Sequence, residues 1–486
     1  MKKYIITILI IASICIIWLG IHHNQYSVNK LNQNFNTIKK DHNNDSITFS
    51  DPYLEKGIRE KISKPTGEIY KGDLEKITVL EIRSANIKDL SGIENITNLE
   101  ELDLSFNDIA DITSISNLTN LTKLNLSYNP MDDINAFNTL KKLTELNISH
   151  TFVKDITPLT NLSNLNILNL SECEYIDYTN INVLGELSNL TELYFYSYEI
   201  SNINFLSNLT NLTKLSLFLN KANDEEVLSK LTNLNWLCLG FNEPIDLSFF
   251  KTLTNLTELH LDCDGDVDIS PIGNLSNLRK LHLPGYIYRG KSKLKDISAL
   301  SSLKNLTELD LFNGEISDIS PLRNLTNLTK LNLSFNQVSD ISALRDLVNL
   351  TELDLGENKI YNITPLNNLT NLTRLDLSYN EISDISDLGD LVNLTELDLD
   401  ENKIYNITSL NNLTNLTRLD LSYNEISDIS DLGDLVNLTE LDLGENKIYN
   451  ITPLNNLTNL TRLDLSYNEI SDISDLGDLV NLTELD

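Results

Sequence analysis

The sequence predicts an α/β solenoid, with a parallel β-sheet along its concave face and a helical cap at its N-terminal end. Three observations predict it. One apolar motif recurs with a period of 22 residues from Leu99 onward. Inside each period the pattern changes from strand-like alternation to the spacing of a bend and a short helical turn. A segment of helical periodicity precedes the first repeat.

The motif reads L-x-x-L-x-L-x-x-N-x-I-x-x-I-x-x-L-x-x-L-x-x, and its opening leucines run from Leu99 through Leu121, Leu143 and Leu165 to Leu482. It gives 17 complete repeats from 99 to 481; the one from Leu165 has 25 residues and the one from Leu278 has 28. A degenerate repeat with Ile77, Leu80 and Ile82 comes first. In L-x-L the side chains alternate, so the leucines point inward and the intervening residues outward from a short strand. The Asn at position nine, as at Asn107, Asn129 and Asn336, is expected to turn inward and bond the backbone of the bend, whose polar groups would otherwise be buried unpaired. Cys173 takes that place in its own repeat. No repeat can bury its apolar face alone, and stacking does so. The expected body over 77–486 is a curved leucine-rich-repeat horseshoe.

The chain opens with Met1, Lys2 and Lys3 and an apolar run from Tyr4 to Ile21. Residues 1–21 therefore read as a signal peptide or signal anchor. The run is long enough for a short membrane span, and the absence of a small-residue cleavage site after Leu19 favours the anchor. The two lysines would stay inside and place the rest outside. Residues 22–50, rich in Asn, Lys and His, read as a flexible linker. Residues 51–76 read as a helical cap: Asp51 and Pro52 form a start signal, Leu54, Ile58 and Ile62 share one face, and Pro65 and Gly67 end it. Such a cap shields the open apolar end of a repeat array.

The chain carries 70 acidic and 37 basic residues, a net charge of -33. That excludes nucleic acid as a partner, because phosphate binding needs a basic surface. With four cysteines in 486 residues the fold is not built on disulfides. Cys238 and Cys263 lie in neighbouring repeats but three residues out of register, about 10 Å apart, and are expected to remain unbonded.

The 22-residue period with its S-D-I-S-x-L segments, Ser317 to Leu322 and Ser339 to Leu344, resembles the bacterial internalin-type leucine-rich repeat. The stretch from Asp51 to Leu104, with D-x-x-L-E-x-x-I-R-E, resembles the helical cap that precedes such repeats. The resemblance covers roughly residues 50–486. It implies a secreted or surface-held protein that binds a host protein through its concave face. The chain departs from the family pattern in showing no C-terminal cap, trailing domain or sorting signal. Residues 350–393, 394–437 and 438–481 are almost identical units, differing at Gly356/Asp400/Gly444 and Pro365/Ser409/Pro453, and the sequence stops at Asp486 within a strand. We expect it to be a fragment.

Function in such an array lives on the outward strand positions. The third position alternates in sign, as in Glu101, Lys123, Glu145 and in Glu308, Lys330, Glu352, Arg374. This is a cross-strand ion ladder on neighbouring strands about 4.8 Å apart. It breaks at Ile167 and Trp236. From 190 to 313 the other columns exchange small polar residues for aromatic ones and histidines. Tyr194, Tyr196, Phe218, Trp236, His260, His282 and Phe312 are the expected binding patch, because grouped exposed aromatics dominate binding energy. The six-residue insertion of the long repeat adds Tyr286 and Tyr288 among Arg289, Lys291, Lys293 and Lys295. Cys238, His260 and His282 stack in one column beside Asp262. That set offers zinc ligands or a Cys–His nucleophilic pair, although a straight column is poor tetrahedral geometry. Asp262, Asp264, Asp266 and Asp268 alternate around Gly265 but fail the pattern of a calcium loop.

The expected function is recognition of a protein, with a glycan as the other ligand class, by a monomer at the surface of a bacterium. No enzymatic activity and no cofactor are expected. The competing readings are a metal-dependent surface hydrolase built on the Cys238 column and a passive spacer that displays a further C-terminal module.

Overall fold

The computed structural model describes residues 46–196, 200, 202–219, 224–241, 245–263, 267–283 and 294–486. The expected anchor at 1–21, the linker up to residue 45, the insertion residues Tyr286 and Tyr288, and Asp264 and Asp266 lie outside the described residues. Two compact units are distinguished, one running to Leu165 with Cys173–Asn180, the other comprising Asn166–Glu172 and Ile181–Asp486.

The first unit opens with β1 (Ser46–Ile47), paired antiparallel with β2 (Ile69–Tyr70). Between them lies α1 (Pro52–Lys61), and α2 (Lys71–Leu74) follows β2. Asp51 starts α1 as the Asp-Pro signal predicts: one carboxylate oxygen accepts from the amides of Tyr53 at 2.8 Å and Leu54 at 3.1 Å. Its other oxygen accepts from the amides of Lys88 at 2.8 Å and Asp89 at 3.3 Å, so one buried side chain ties the cap to the first turn of the array. Leu54 and Ile58 face inward and are fully buried. Four strands follow, β3 (Val79–Glu81), β4 (Glu101–Asp103), β5 (Lys123–Asn125) and β6 (Glu145–Asn147). They are parallel from β3 to β6, with Leu80, Leu102, Leu124 and Leu146 in register.

The second unit continues the pattern with β7 (Ile167–Asn169), β8 (Glu192–Phe195), β9 (Lys214–Leu219), β10 (Trp236–Phe241) and β11 (Glu258–Cys263). Next come β12 (Lys280–His282), β13 (Glu308–Asp310), β14 (Lys330–Asn332), β15 (Glu352–Asp354) and β16 (Arg374–Asp376). The last are β17 (Glu396–Asp398), β18 (Arg418–Asp420), β19 (Glu440–Asp442), β20 (Arg462–Asp464) and β21 (Glu484–Leu485). Each pairs in parallel with the next at one residue per repeat position.

Most of the described periods share the same closing devices. Asn107 donates to the carbonyls of Ile82 and Leu104, both at 2.9 Å, and accepts from the amide of Ile87 at 3.0 Å. One side chain therefore bonds its own bend and the preceding repeat, as the motif predicts. Cys173 makes a thinner version, its thiol donating to the carbonyl of Ile148 at 3.1 Å. After the strand, a turn residue takes a left-handed φ; Phe106, Tyr128 and Phe335 do so at 58°, 57° and 58°. The aspartate of each S-D-I-S segment then opens a single 3-10 turn, as Asp318 does by accepting from the amide of Ser320 at 2.8 Å. Leucines and isoleucines at the motif positions are almost all fully buried.

Candidate binding site on the sheet face

The outward positions of the second unit carry the candidate site. Three consecutive strands, β9, β10 and β11, have six residues where most others have three. Leu219, Phe241 and Cys263 stand where other repeats make the left-handed turn, and here the strand runs on through them. Phe241 is buried. The sheet is thus widest where its face is most aromatic. The sequence carried the signal in that apolar trio, but the motif makes position eight a turn and hid it.

On this platform Trp236 lies between Tyr194, with ring centroids 6.0 Å apart, and His260, at 5.7 Å. All three are half-buried. Glu258 holds two of them: one carboxylate oxygen accepts from the Trp236 indole at 2.9 Å and meets His260 Nε2 at 2.6 Å. Burial works to raise the Glu258 carboxyl, but the hydrogen bonds from His260 and Trp236 outweigh it and hold the group below its ordinary value. Tyr194 donates to Glu192 at 2.8 Å, and Glu192 also pairs with Lys214 at 3.0 Å. Burial and that carboxylate push the Tyr194 phenol well above its ordinary range. The rings are therefore set in place by acids of the neighbouring column before any partner arrives. Reading columns one at a time missed Glu258 in this role.

Not every expected residue belongs to the patch. Phe218, expected as an exposed binding residue, is only 3% exposed. Its ring lies over Gly240 on the next strand, where a β-carbon would overlap it, and its far side meets Tyr196 at 4.9 Å. Alternation pointed Phe218 outward, and the missing side chain of Gly240 let it fold flat onto the sheet. Tyr196 is half-buried against it. Phe312 sits two strands beyond His260 and packs edge-on against Phe335 at 5.1 Å, apart from the Trp236 group.

The Cys238 column lies in register as expected, Cys238 opposite His260 and His260 opposite His282. The two imidazoles stack 4.3 Å apart with planes 4° from parallel. Their nitrogens address different acids: His260 meets Glu258, and His282 Nδ1 lies 3.6 Å from Asp310. Among the described residues no group of three or more His, Cys, Asp and Glu is arranged to hold a metal ion. Burial pushes the Cys238 thiol up and Asp262 adds to it, against a hydrogen bond with Ser216, which is the reverse of an activated nucleophile. Cys238 is a free thiol, and the register opposes Cys263 to Phe241, three residues from Cys238.

The charged column flanking the patch pairs across strands. Lys280 meets Glu308 at 2.9 Å, Lys330 meets Glu352 at 2.7 Å, and Arg374 meets Glu396 at 3.5 Å. In the first unit Lys123 lies between Glu101 at 3.9 Å and Glu145 at 3.3 Å. Exposed pairs of this kind contribute about 0–1 kcal/mol each. They neutralise the face rather than hold it.

The family of leucine-rich repeats in two copies matches residues 97–139, 326–369, 370–414 and 414–458, and a single-copy leucine-rich repeat matches 456–473. No curated protein matches the chain. Among solved structures, a leucine-rich-repeat protein of Leptospira interrogans shares 24% identity over 86% of this chain and 97% of its own, with a TM-score of 0.56. The functional domain of InlJ from Listeria monocytogenes shares 23% over 86% and 80%, with a TM-score of 0.50. An internalin of the same organism shares 29% over 90% and 95%, with a TM-score of 0.41.

Proposed function

Because the chain is a leucine-rich-repeat protein of internalin-like pattern, we propose that it is a recognition protein of the bacterial surface whose protein partner docks on the sheet face at the repeats from 190 to 313. The observation that carries this reading is the Trp236 group: three half-buried rings on and beside the widest part of the sheet, oriented by Glu258 and Glu192. Rigid aromatic side chains bury large area at small entropic cost, and pre-ordering lowers that cost further. The flanking repeats present small polar residues and self-paired charges, which suit a scaffold better than a specific site. The apolar run from Tyr4 to Ile21 supports export and retention at the membrane. The protonated thiol and the stacked imidazoles support binding over hydrolysis.

The test replaces Trp236 and Tyr194 with alanine together and measures binding to whole target cells. Loss of two central anchors weakens affinity at least about tenfold. The control deletes residues 394–437, one of the near-identical units, which keeps the remaining repeats in phase. Normal binding by the double variant together with loss in the deletion would move the site out of these repeats and overturn the assignment.

A further inference from the structure

A second group of rings lies off the strands, at the turns of the first unit. Phe106 stacks on Tyr128 with centroids 4.1 Å apart and planes 12° from parallel, and Tyr128 stacks on His150 at 4.0 Å and 17°. Beside them Phe152 meets Tyr175 edge-on at 5.4 Å. Phe106, Tyr128, Phe152 and Tyr175 are 52%, 42%, 49% and 53% exposed. Phe106, Tyr128 and His150 occupy the left-handed turn, at φ 58°, 57° and 54°, a conformation that Asn adopts more readily than an aromatic residue. In the second unit the same turn alternates rings with glutamates, Phe335, Tyr379, Tyr423 and Tyr467 with Glu357, Glu401 and Glu445, whereas here three consecutive turns carry rings and these stack. An unbroken stack of exposed rings, where the second unit interrupts the row with glutamates, points to a use outside the fold.

The charge around the rings selects what covers them. Both lysines of these turn segments are engaged, Lys88 with Asp108 and Lys154 with Asp132, each at 3.8 Å. The same segments carry Asp111, Asp133, Asp155 and Glu174, and among the described residues no cation lies within ion-pair distance of them. Exposed rings favour a partner that brings a ring of its own. A second copy of this chain, with its net charge of -33, is repelled.

We propose that the row Phe106–Tyr128–His150, with Phe152 and Tyr175, is a second docking surface, and that it takes a protein segment presenting an aromatic side chain between basic residues. The rings are ordered by their own stacking, so a partner buries them at small entropic cost. The acids of the same segments attract the flanking cations and disfavour acidic competitors.

The test uses a dye-labelled synthetic peptide in which tryptophans are flanked by lysines, and a counterpart with glutamates in place of the lysines. Binding to the chain is followed by fluorescence anisotropy. The variants are Phe106→Asn with Tyr128→Asn, which keeps the charge and suits the left-handed turn, and Phe152→Ser with Tyr175→Ser. The lysine peptide is expected to bind the unaltered chain and to lose at least about tenfold in affinity for each double variant, with the melting temperature of the Asn variant unchanged or raised. The glutamate peptide is expected to bind at least about tenfold more weakly. Substituting Trp236 with alanine is expected to leave lysine-peptide binding unchanged, which separates this surface from the sheet-face site. Equal binding by the Asn variant would reduce the effect to diffuse charge attraction and overturn the proposal. So would a fall in its melting temperature, which would make the rings structural. A dimer in sedimentation that the Asn variant loses would assign the surface to a second copy and overturn it equally.

Discussion

Single side chains decide both the start of the array and the shape of its aromatic patch. Asp51 accepts four backbone amides, from Tyr53, Leu54, Lys88 and Asp89. Burial works against its charge, and those hydrogen bonds outweigh it and lower its carboxyl below the usual range. Asp51→Ala strips a helix cap and leaves buried amides of the first turn unpaired, at a cost of about 2–4 kcal/mol. Urea unfolding of the variant beside the unaltered chain measures it, and a loss under about 0.5 kcal/mol would show that the cap does not depend on this residue. Gly240 works by what it lacks. Gly240→Val fills the space of the Phe218 ring, so the ring is expelled onto the surface and stability falls by about 1–3 kcal/mol. Enhanced solvent accessibility of Phe218 in hydroxyl-radical labelling is the readout, and an unchanged Phe218 would contradict the packing described. Both residues were plain in the sequence. The consequence was not, because alternation assigns each strand residue a direction without asking what its neighbour on the next strand leaves empty.

At the scale of the repeat, the asparagine bridge is the costly part to lose. Asn336 donates to the carbonyls of Leu311 and Leu333, both at 2.9 Å, and accepts from the amide of Ile316 at 3.0 Å. Asn336→Ala leaves these groups buried without partners, and a loss of about 2–4 kcal/mol in the unfolding free energy is expected. The position-nine asparagine was fully legible, since one residue type recurs at one phase of a long period. Strand length was not, because Leu219, Phe241 and Cys263 extend their strands through tertiary pairing that outweighs the local turn pattern. The duplicated units add a pH dependence. Their fifth positions put Asp354, Asp376, Asp398, Asp420, Asp442 and Asp464 on consecutive paired strands. Burial first, and then Asp376 alongside, pushes Asp398 up to about 7. Burial, with Asp420 and Asp464 adding to it, pushes Asp442 up to about 6. A carboxyl raised above its unfolded value near 3.9 binds more protons in the folded state. Stability therefore rises as pH falls from about 7 toward about 4. Below that window the cap aspartates Asp340, Asp384 and Asp428, held low by the amides they accept, lose their stabilising contribution. The melting temperature is expected to be higher at pH 5 than at pH 7.5, and Asp398→Asn with Asp442→Asn is expected to flatten that difference. A melting temperature that climbs steadily from pH 5 to pH 7.5 would contradict the carboxylate row.

For the whole molecule, the repeat period dictated the architecture, because a motif that cannot bury its apolar face alone has one solution, to stack. The aromatic group was legible as a break in column chemistry. Its membership was legible only in part: Tyr194, Trp236 and His260 come together, Phe218 turns under, Phe312 stands apart, and Glu258 emerges as the residue that orients Trp236 and His260. Individual contacts of this kind depend on which side chains share a pocket across strands, and a periodic pattern carries no such information. The acidic balance of the chain fits a partner that is neutral or basic. The central claim is that this partner covers the Trp236 group, and hydroxyl-radical footprinting of the chain bound to its target cells tests it most directly. Oxidation of Trp236 and Tyr194 is expected to fall on binding, while that of the exposed Tyr361, Tyr405 and Tyr449 outside the strands stays as it was. Protection confined to those tyrosines, with Trp236 as reactive bound as free, would contradict it.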